Sequence, residues 1–178
     1  LSAPGAELLL QTPQLNVCVG GAEANVAVSL ATLGHDAATF TSLPDNALGH
    51  AARNELRRYG VDTSRIGFSP GRMGLYFLSP GAGGRAAEVI YDRAQSVFAS
   101  ADHASTNWSE ILRGAGWLHI SGVTAALGAD VADAAIRAVT EARKLGLTVS
   151  FDCNYRAKLW QAWNGDAPAI LRQILAQA

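Results

Sequence analysis

One pattern in the last third of the chain restricts the fold more than any other feature. GWLHIS (116–121) and LTVSFD (147–152) are short, mostly apolar segments that predict strands. Between them, ADVADAAIRAVTEARKLG (129–146) predicts a helix whose inward face is formed by Val131, Ala135, Ala138 and Ala142 and which stops at Gly146. A strand, a helix and a strand joined by short links make a βαβ crossover, whose two strands are parallel. We therefore predict an α/β fold.

A glycine pair, Gly20-Gly21, stands directly before another predicted helix. That helix covers AEANVAVSLATLG (22–34), with apolar residues at helical spacing: Val26, Ala27, Leu30 and Leu33. The pair belongs to neither a GxGxxG fingerprint nor a Walker A motif, because the other glycines and the GK[ST] are absent. Two alternatives remain open. The backbone approaches a ligand at the helix N-terminus, within reach of Asn25, or the glycines allow close helix–strand packing.

The next segment predicts a strand followed by a helix. AATFTSL (37–43) has strand character, and Asp45 or Asn46 can cap the helix after it. The helix ends at Gly60 and has one apolar face: Leu48, Ala52, Leu56 and Tyr59.

The middle of the chain predicts a β-hairpin inserted into this α/β pattern. RMGLYFLS (72–79) and AAEVIYDR (86–93) alternate at period two around PGAGGR. Val89, Tyr91 and Arg93 share one face of the second strand, and Tyr76 is equally placed on the first. This face is either a binding surface or one side of an amphipathic surface hairpin.

Composition excludes several partners. The net charge of −1 offers no basic footprint for nucleic acid or an anionic membrane. No apolar run reaches the roughly 18 residues of a spanning helix, and the first residues lack the basic flank of a secretory signal. We therefore expect a cytoplasmic protein.

Cysteine and histidine spacing predicts no metal site. Cys18 and Cys153 lie far apart and form no CxxC pair, so we expect two reduced, buried thiols. The four histidines show no ligand spacing, and His119 within GWLHIS is typical of a core or strand-edge residue.

A polar loop follows the second predicted strand of the crossover. Ligands of open α/β sheets bind beyond the carboxyl ends of the parallel strands, which here are Ser121-Gly122 and residues 152–156. The latter, DCNYR, contains a carboxylate, an amide, a phenol and a guanidinium group. Arg156 could bind a carboxylate or a phosphate bidentately. Alternatively, the loop is a capped turn that leads into the next helix.

Taken together, these segments resemble the ribokinase-like (PfkB) family of carbohydrate kinases. The resemblance follows the family's order and spacing over most of the 178 residues, in GGAEANVAVSLATLG, LPDNALGHAARNELRRYGVDTSRI, GRMGLYFLSPG, EVIYDRAQSVFA, WLHISGVTAALG and SFDCNYRAKLW. The first and last stretches are the most specific. GLYF and EVIYDRA are similar to the 2-keto-3-deoxygluconate kinase branch rather than to ribokinase or adenosine kinase.

The resemblance implies a three-layer α/β/α core with a small β-sheet lid formed by residues 8–19 and 72–98. It implies transfer of the γ-phosphoryl group of ATP, with Mg²⁺, to a terminal hydroxyl of a sugar acid, 2-keto-3-deoxygluconate. The open edge of such a lid is also where we expect two copies to meet in a homo-oligomer.

The resemblance also assigns residues to the substrates. Six match positions that bind the sugar acid: Gly21, Asn25, Tyr76, Tyr91, Arg93 and Arg156. Gly21 and Asn25 match contacts to sugar hydroxyls, the two tyrosines and Arg93 match lid residues over the substrate, and Arg156 matches the arginine at its carboxylate. Asn154 lies where the loop approaches the phosphates of ATP.

One departure from the family pattern concerns catalysis. The family's catalytic base is an aspartate in a GAGD motif, which these residues do not contain, since GAGG (81–84) belongs to the hairpin. The family's first strand and its ATP-binding half have no counterpart either, and the chain stops within the helical pattern ILRQILAQA. We therefore expect residues 1–178 to be the N-terminal portion of the fold, without a catalytic residue of its own and inactive alone.

Three other functions stay open at this point. The chain could be a non-catalytic sugar-acid-binding module derived from such a kinase. It could belong to a sister kinase that acts on fructose or a nucleoside. A dinucleotide-binding domain of an oxidoreductase is a third alternative, against which the missing GxGxxG counts.

Overall fold

A computed structural model describes all 178 residues and divides them into two compact units. The first unit consists of residues 1–21 and 31–100, and the second of residues 22–30 and 101–178. Seven helices and six strands follow one another along the chain, and the strands form three two-stranded sheets, two parallel and one antiparallel. The predicted α/β class is therefore confirmed.

The first helix begins where the glycine pair predicts it. Helix α1 (Ala22–Thr32) starts directly after Gly21, and Gly34 adopts a φ of +88° just beyond its end. The left-handed conformation at Gly34 is the expected helix stop. Of the predicted apolar face only Ala27 is buried, whereas Leu33 is 75% exposed.

The first unit contains a parallel strand pair joined through a helix. Strand β1 (Thr41–Pro44), helix α2 (Ala47–Arg58) and strand β2 (Ile66–Ser69) form a βαβ arrangement, with Thr41 opposite Ile66 in register. Helix α2 buries Ala52 and Leu56, as predicted. The other two residues of the predicted apolar face are exposed: Leu48 (55%) and Tyr59 (43%).

Asn46, rather than Asp45, caps α2. Its side-chain oxygen accepts hydrogen bonds from the amides of Leu48 (3.0 Å) and Gly49 (3.2 Å). A Cβ at Gly49 would lie 1.9 Å from the carbonyl oxygen of Pro44, so the first turn of α2 approaches the end of β1 more closely than any side chain allows.

The predicted hairpin is present as an antiparallel pair. Strand β3 (Leu75–Ser79) pairs with strand β4 (Glu88–Asp92), and Tyr76 lies directly opposite Tyr91. Reciprocal backbone bonds between Ala82 and Arg85 (2.9 and 3.1 Å) close the loop between the strands.

The second unit contains the predicted crossover. In chain order its elements are α3 (Trp108–Ile111), β5 (Trp117–Ser121), α4 (Gly122–Ala125), α5 (Ala129–Lys144), β6 (Thr148–Asp152), α6 (Ala157–Gln161) and α7 (Ala167–Leu175). Strands β5 and β6 are parallel, with Ser121 opposite Asp152 at their carboxyl ends. The predicted inward face of α5 is confirmed, because Val131, Ala135, Ala138 and Ala142 are all buried.

Residues 8–19 were expected to form part of the lid sheet. They contain no strand; within them Asn16 forms an isolated antiparallel bridge with Ser2, which also bridges Leu78 of β3. The lid role of this segment stays a prediction.

Cys18 and Cys153 are free but exposed, so the expectation of buried thiols is wrong. No helix has both the length and the apolar character needed to cross a membrane.

Candidate functional site

The residues predicted to bind substrates fall in both units. Tyr76, Tyr91 and Arg93 belong to the first unit, together with Gly21, whereas Asn25, Asn154 and Arg156 belong to the second. Each unit therefore presents its own set of candidate residues.

In the first unit, the hairpin brings two tyrosines and an arginine together. Tyr76 and Tyr91 are cross-strand partners, so their side chains share a face of the sheet. The guanidinium carbon of Arg93 lies 4.5 Å from the centroid of the Tyr91 ring, a cation–π contact. The predicted shared face is confirmed, although the role of these residues in binding stays a prediction.

Gly21 and Asn25 flank the start of α1. Gly21 is the residue before the helix and is exposed, as is Gly20. Asn25 is exposed in the first turn of the helix. The structure therefore places both residues at a helix N-terminus, as predicted, and their contacts to sugar hydroxyls stay predictions.

In the second unit, the loop after β6 is held by its own polar groups. The Asp152 carboxylate accepts a hydrogen bond from the amide of Asn154 (3.1 Å), which closes a turn. Asn154 has a φ of +33°, and its side-chain amide donates to Oγ of Ser121 (3.0 Å). These bonds support the alternative of a structured turn for Asp152 and join the carboxyl ends of the two parallel strands.

Arg156 occupies a different position in the same loop. It is the N-cap residue of α6, and its side chain makes no capping bond. Its Nη1 donates to the carbonyl oxygen of Tyr155 (3.0 Å), and the residue is exposed. The guanidinium group is therefore at the surface, at the carboxyl edge of the parallel strands where ligands of such sheets bind.

Sequence reasoning missed Glu23, which reaches this edge from α1. Its Oε1 accepts hydrogen bonds from the amide of Ser121 (3.0 Å) and from Oγ1 of Thr124. Ser121 is fully buried and also accepts the bond from Asn154. Glu23 is the acidic residue in the first turn of α1, a pattern that sequence alone explains by the helix dipole. Its partners lie about a hundred residues away, and no local pattern could identify them.

Gly122 shows how tightly this edge is packed. A Cβ at this position would lie 2.2 Å from the carbonyl oxygen of Cys153. Glycine is thus required where α4 starts beside the loop that follows β6.

The described cavities lie elsewhere in the second unit. One, of about 370 Å³, lies between the α3 region and α5, and a smaller one of about 180 Å³ is lined by Asp102, Asp130 and Arg137 among others. Neither contains a residue predicted to bind substrate. No group of three or more histidine, cysteine, aspartate or glutamate side chains is arranged to hold a metal ion.

One carboxyl group of the first unit has a lowered pKa and lies outside the candidate residues. Hydrogen bonds from the backbone amide (2.8 Å) and the hydroxyl (3.1 Å) of Ser64 hold the pKa of Asp62 below its ordinary value, and Arg65 adds to the effect. Asp62 lies just before β2, and its carboxylate accepts hydrogen bonds from two residues that follow it closely, Ser64 and Arg65.

Comparison with protein families identifies the chain. Residues 3–178 match the family model described as pfkB family carbohydrate kinase. The chain belongs to the PfkB family of carbohydrate kinases. The match extends over nearly every residue, so both units belong to this family's fold.

Two curated relatives are similar to this PfkB chain. A 2-dehydro-3-deoxygalactonokinase from Haloferax volcanii is 35% identical over 162 residues, which cover 90% of this chain and 50% of the relative. A 2-dehydro-3-deoxygluconokinase from Bacillus subtilis is 32% identical over 146 residues, which cover 80% of this chain and 44% of the relative. The chain therefore spans about half the length of the curated relatives it matches.

A solved structure gives the same fold. The crystal structure of a 2-dehydro-3-deoxygluconokinase from Thermotoga maritima superposes with a TM-score of 0.87 at 39% identity, covering 98% of this chain and 58% of that one. The predicted ribokinase-like α/β fold, present in part, is thereby confirmed.

Proposed function

We propose that this PfkB chain supplies the sugar-binding part of an ATP-dependent kinase that phosphorylates 2-keto-3-deoxygluconate. The observation that carries the proposal is the hairpin face on which Arg93 lies over Tyr91 and Tyr91 lies opposite Tyr76. The similarity to two kinases named for 2-dehydro-3-deoxy sugar acids supports the same substrate class.

The chemistry of that face fits a sugar acid better than a neutral sugar. Aromatic rings pack against the carbon-bound hydrogens of a sugar, and the tyrosine hydroxyls can donate to its oxygens. A guanidinium group binds a carboxylate with charge-assisted hydrogen bonds, which a neutral sugar cannot accept as strongly. Arg93 is half-buried on the hairpin, so its positive charge is less screened than on an open surface.

The second unit contributes donors of its own to the proposal. Arg156 is exposed at the carboxyl edge of β5 and β6, and we assign it to the substrate carboxylate. Asn25, in the first turn of α1, and the backbone of Gly21 are assigned to sugar hydroxyls. Asn154 uses one amide hydrogen on Ser121, and its second amide hydrogen suits a phosphate oxygen of ATP.

ATP with Mg²⁺ supplies the phosphoryl group and the charge neutralisation that phosphoryl transfer requires. The residues of this chain bind the sugar acid and orient its terminal hydroxyl. The catalytic aspartate is expected from a GAGD motif outside residues 1–178, so these residues alone are expected to release no ADP.

The substrate is tested with the protein expressed from the complete reading frame that encodes this chain. ADP release is measured with 2-keto-3-deoxygluconate, 2-keto-3-deoxygalactonate, fructose and adenosine. We expect turnover with one or both sugar acids and residues 1–178 alone to be inactive. Turnover with fructose or adenosine, and none with either acid, would assign the chain to a sister kinase.

One substitution tests the assignment of Arg156. Arg156→Ala should raise the KM for the sugar acid at least about tenfold, since a charged hydrogen bond contributes roughly 1.5–3 kcal/mol. The KM for ATP should change little. A larger effect on ATP than on the sugar acid would place Arg156 at the nucleotide instead.

We also propose that the hairpin takes part in a homo-oligomer and that the enzyme works in the cytoplasm. Strands β3 and β4 form a two-stranded sheet, and the first residues of the chain bridge the outer edge of β3 at Leu78. The outer edge of β4 is the one that we assign to pairing with a second copy. Light scattering on the complete protein tests the oligomer, and a monomer at all concentrations would contradict it.

A further inference from the structure

The base of the hairpin holds an arginine to which neither the resemblance nor the proposed function gives a role. Arg72 lies three residues before β3, and its guanidinium group contacts the chain on both sides of Arg93. Nη1 donates to the carbonyl oxygen of Ala94 (3.2 Å). Nη2 donates to the carbonyl oxygen (3.2 Å) and the carboxylate (2.5 Å) of Asp92.

The backbone of the same turn also closes on Arg72. The amide of Val97 donates to the carbonyl oxygen of Arg72 (3.1 Å), and the amide of Ser96 donates to that of Arg93 (3.2 Å). A Cβ at Gly74 would lie 3.3 Å from Cβ of Arg93, so the stem of Arg93 packs directly on the backbone in front of β3. The position of Arg93 is therefore fixed from two directions.

Arg72 is itself paired with a carboxylate in this turn. Arg72 and Asp92 form an ion pair with side chains 42% and 46% exposed. The carboxylate of Asp92 therefore offsets the charge of Arg72. We assign to Arg72 a role in the geometry of the turn rather than a direct attraction for the substrate.

We infer that Arg72 is a positioning residue for Arg93. A planar guanidinium fork reaches two carbonyl groups at once, one on each side of Arg93, and holds the backbone between them. With that backbone fixed, the Arg93 side chain stays over the Tyr91 ring. The inference rests on the proposed function, in which Arg93 binds the substrate carboxylate.

The test uses a charge-preserving variant in the complete protein. Arg72→Lys keeps the positive charge and loses the fork, and Arg72→Met loses both. Both variants should raise the KM for 2-keto-3-deoxygluconate about tenfold, because the loss of hydrogen bonds made by a charged group weakens binding by about that factor. The KM for ATP should stay unchanged. Thermal melting checks that each variant is folded.

A double-mutant cycle separates positioning from general stability. In an Arg93→Met background, Arg72→Lys should change the KM for the sugar acid by less than about twofold, because the residue that it positions is already gone. A wild-type KM in Arg72→Lys, or the same tenfold loss in both backgrounds, overturns the inference.

The same cycle stays decisive if the proposed function fails. The wild-type protein could instead phosphorylate fructose or a nucleoside. The KM for that substrate is then measured in the wild type, in Arg72→Lys, in Arg93→Met and in the double variant. Coupling between positions 72 and 93 then supports positioning, and additive effects overturn it.

Discussion

Glu23→Ala is expected to destabilise the second unit far more than the loss of a surface carboxylate. Glu23 accepts hydrogen bonds from the amide of Ser121 (3.0 Å) and from the hydroxyl of Thr124, and Ser121 is fully buried. A hydrogen bond to a charged group is worth roughly 1.5–3 kcal/mol, and a buried donor left without a partner costs roughly 1–3 kcal/mol. We therefore expect a loss of about 3 kcal/mol in the free energy of unfolding.

Urea unfolding followed by tryptophan fluorescence measures this loss selectively. All four tryptophans belong to the second unit: Trp108, Trp117, Trp160 and Trp163. With a typical urea m-value of about 2 kcal/mol/M, a loss of about 3 kcal/mol lowers the midpoint by roughly 1.5 M.

Two control variants show whether the loss of stability in Glu23→Ala comes from its hydrogen bonds. Glu141→Ala removes a carboxylate of the same unit that pairs with Lys144 (3.5 Å) at the surface of α5, and should cost less than about 0.5 kcal/mol. Glu23→Gln keeps an acceptor oxygen and should lie between the two alanine variants. Equal midpoints for Glu23→Ala and Glu141→Ala would refute the reasoning.

Two further predictions concern acid sensitivity and close packing. Because hydrogen bonds from Ser64 lower the pKa of Asp62, this carboxylate stabilises the fold above its ordinary pKa, and the contribution is lost as the pH falls through the folded-state value. The difference in Tm between wild type and Asp62→Asn should therefore shrink from about pH 6 to about pH 2, and a constant difference would contradict this. Gly122→Ala, whose Cβ would meet the carbonyl oxygen of Cys153 at 2.2 Å, should cost about 2 kcal/mol by chemical denaturation. Gly116→Ala, with no neighbour within 4 Å, should cost less than about 0.5 kcal/mol, and equal losses would contradict the packing argument.

The elements that sequence predicted well are those whose signal is local. The alanine-rich face of α5 repeats over about three turns and is buried as predicted. The period-two alternation around PGAGGR was enough to place Tyr76 and Tyr91 on one face of a hairpin. In both cases the residues that form the pattern also form the contact.

Predictions failed where a distant part of the chain decides the outcome. Spacing showed that Leu48 and Tyr59 share a face with Ala52, but it does not determine how far along the helix other segments cover that face. Strand β2 (Ile66–Ser69) was not predicted, because four residues are too few to show a clear period-two pattern. Glu23 looked like an ordinary first-turn acid because its partners at 121 and 124 come from another part of the sequence.

The two units are interleaved in the sequence, which affects how segments can be exchanged between related enzymes to make chimeras. The second unit takes residues 22–30 from within the sequence of the first, so no single crossover point in a gene separates the two units. A chimera joined at residue 100 would combine the 101–178 segment of one parent with the Glu23 position of the other. Such chimeras should fold well only when the parent that supplies residues 1–100 carries a hydrogen-bond acceptor at position 23 for the amide of the buried Ser121. Residue 23 is therefore the first position to preserve when residues 101–178 of this chain are joined to the N-terminal part of a relative.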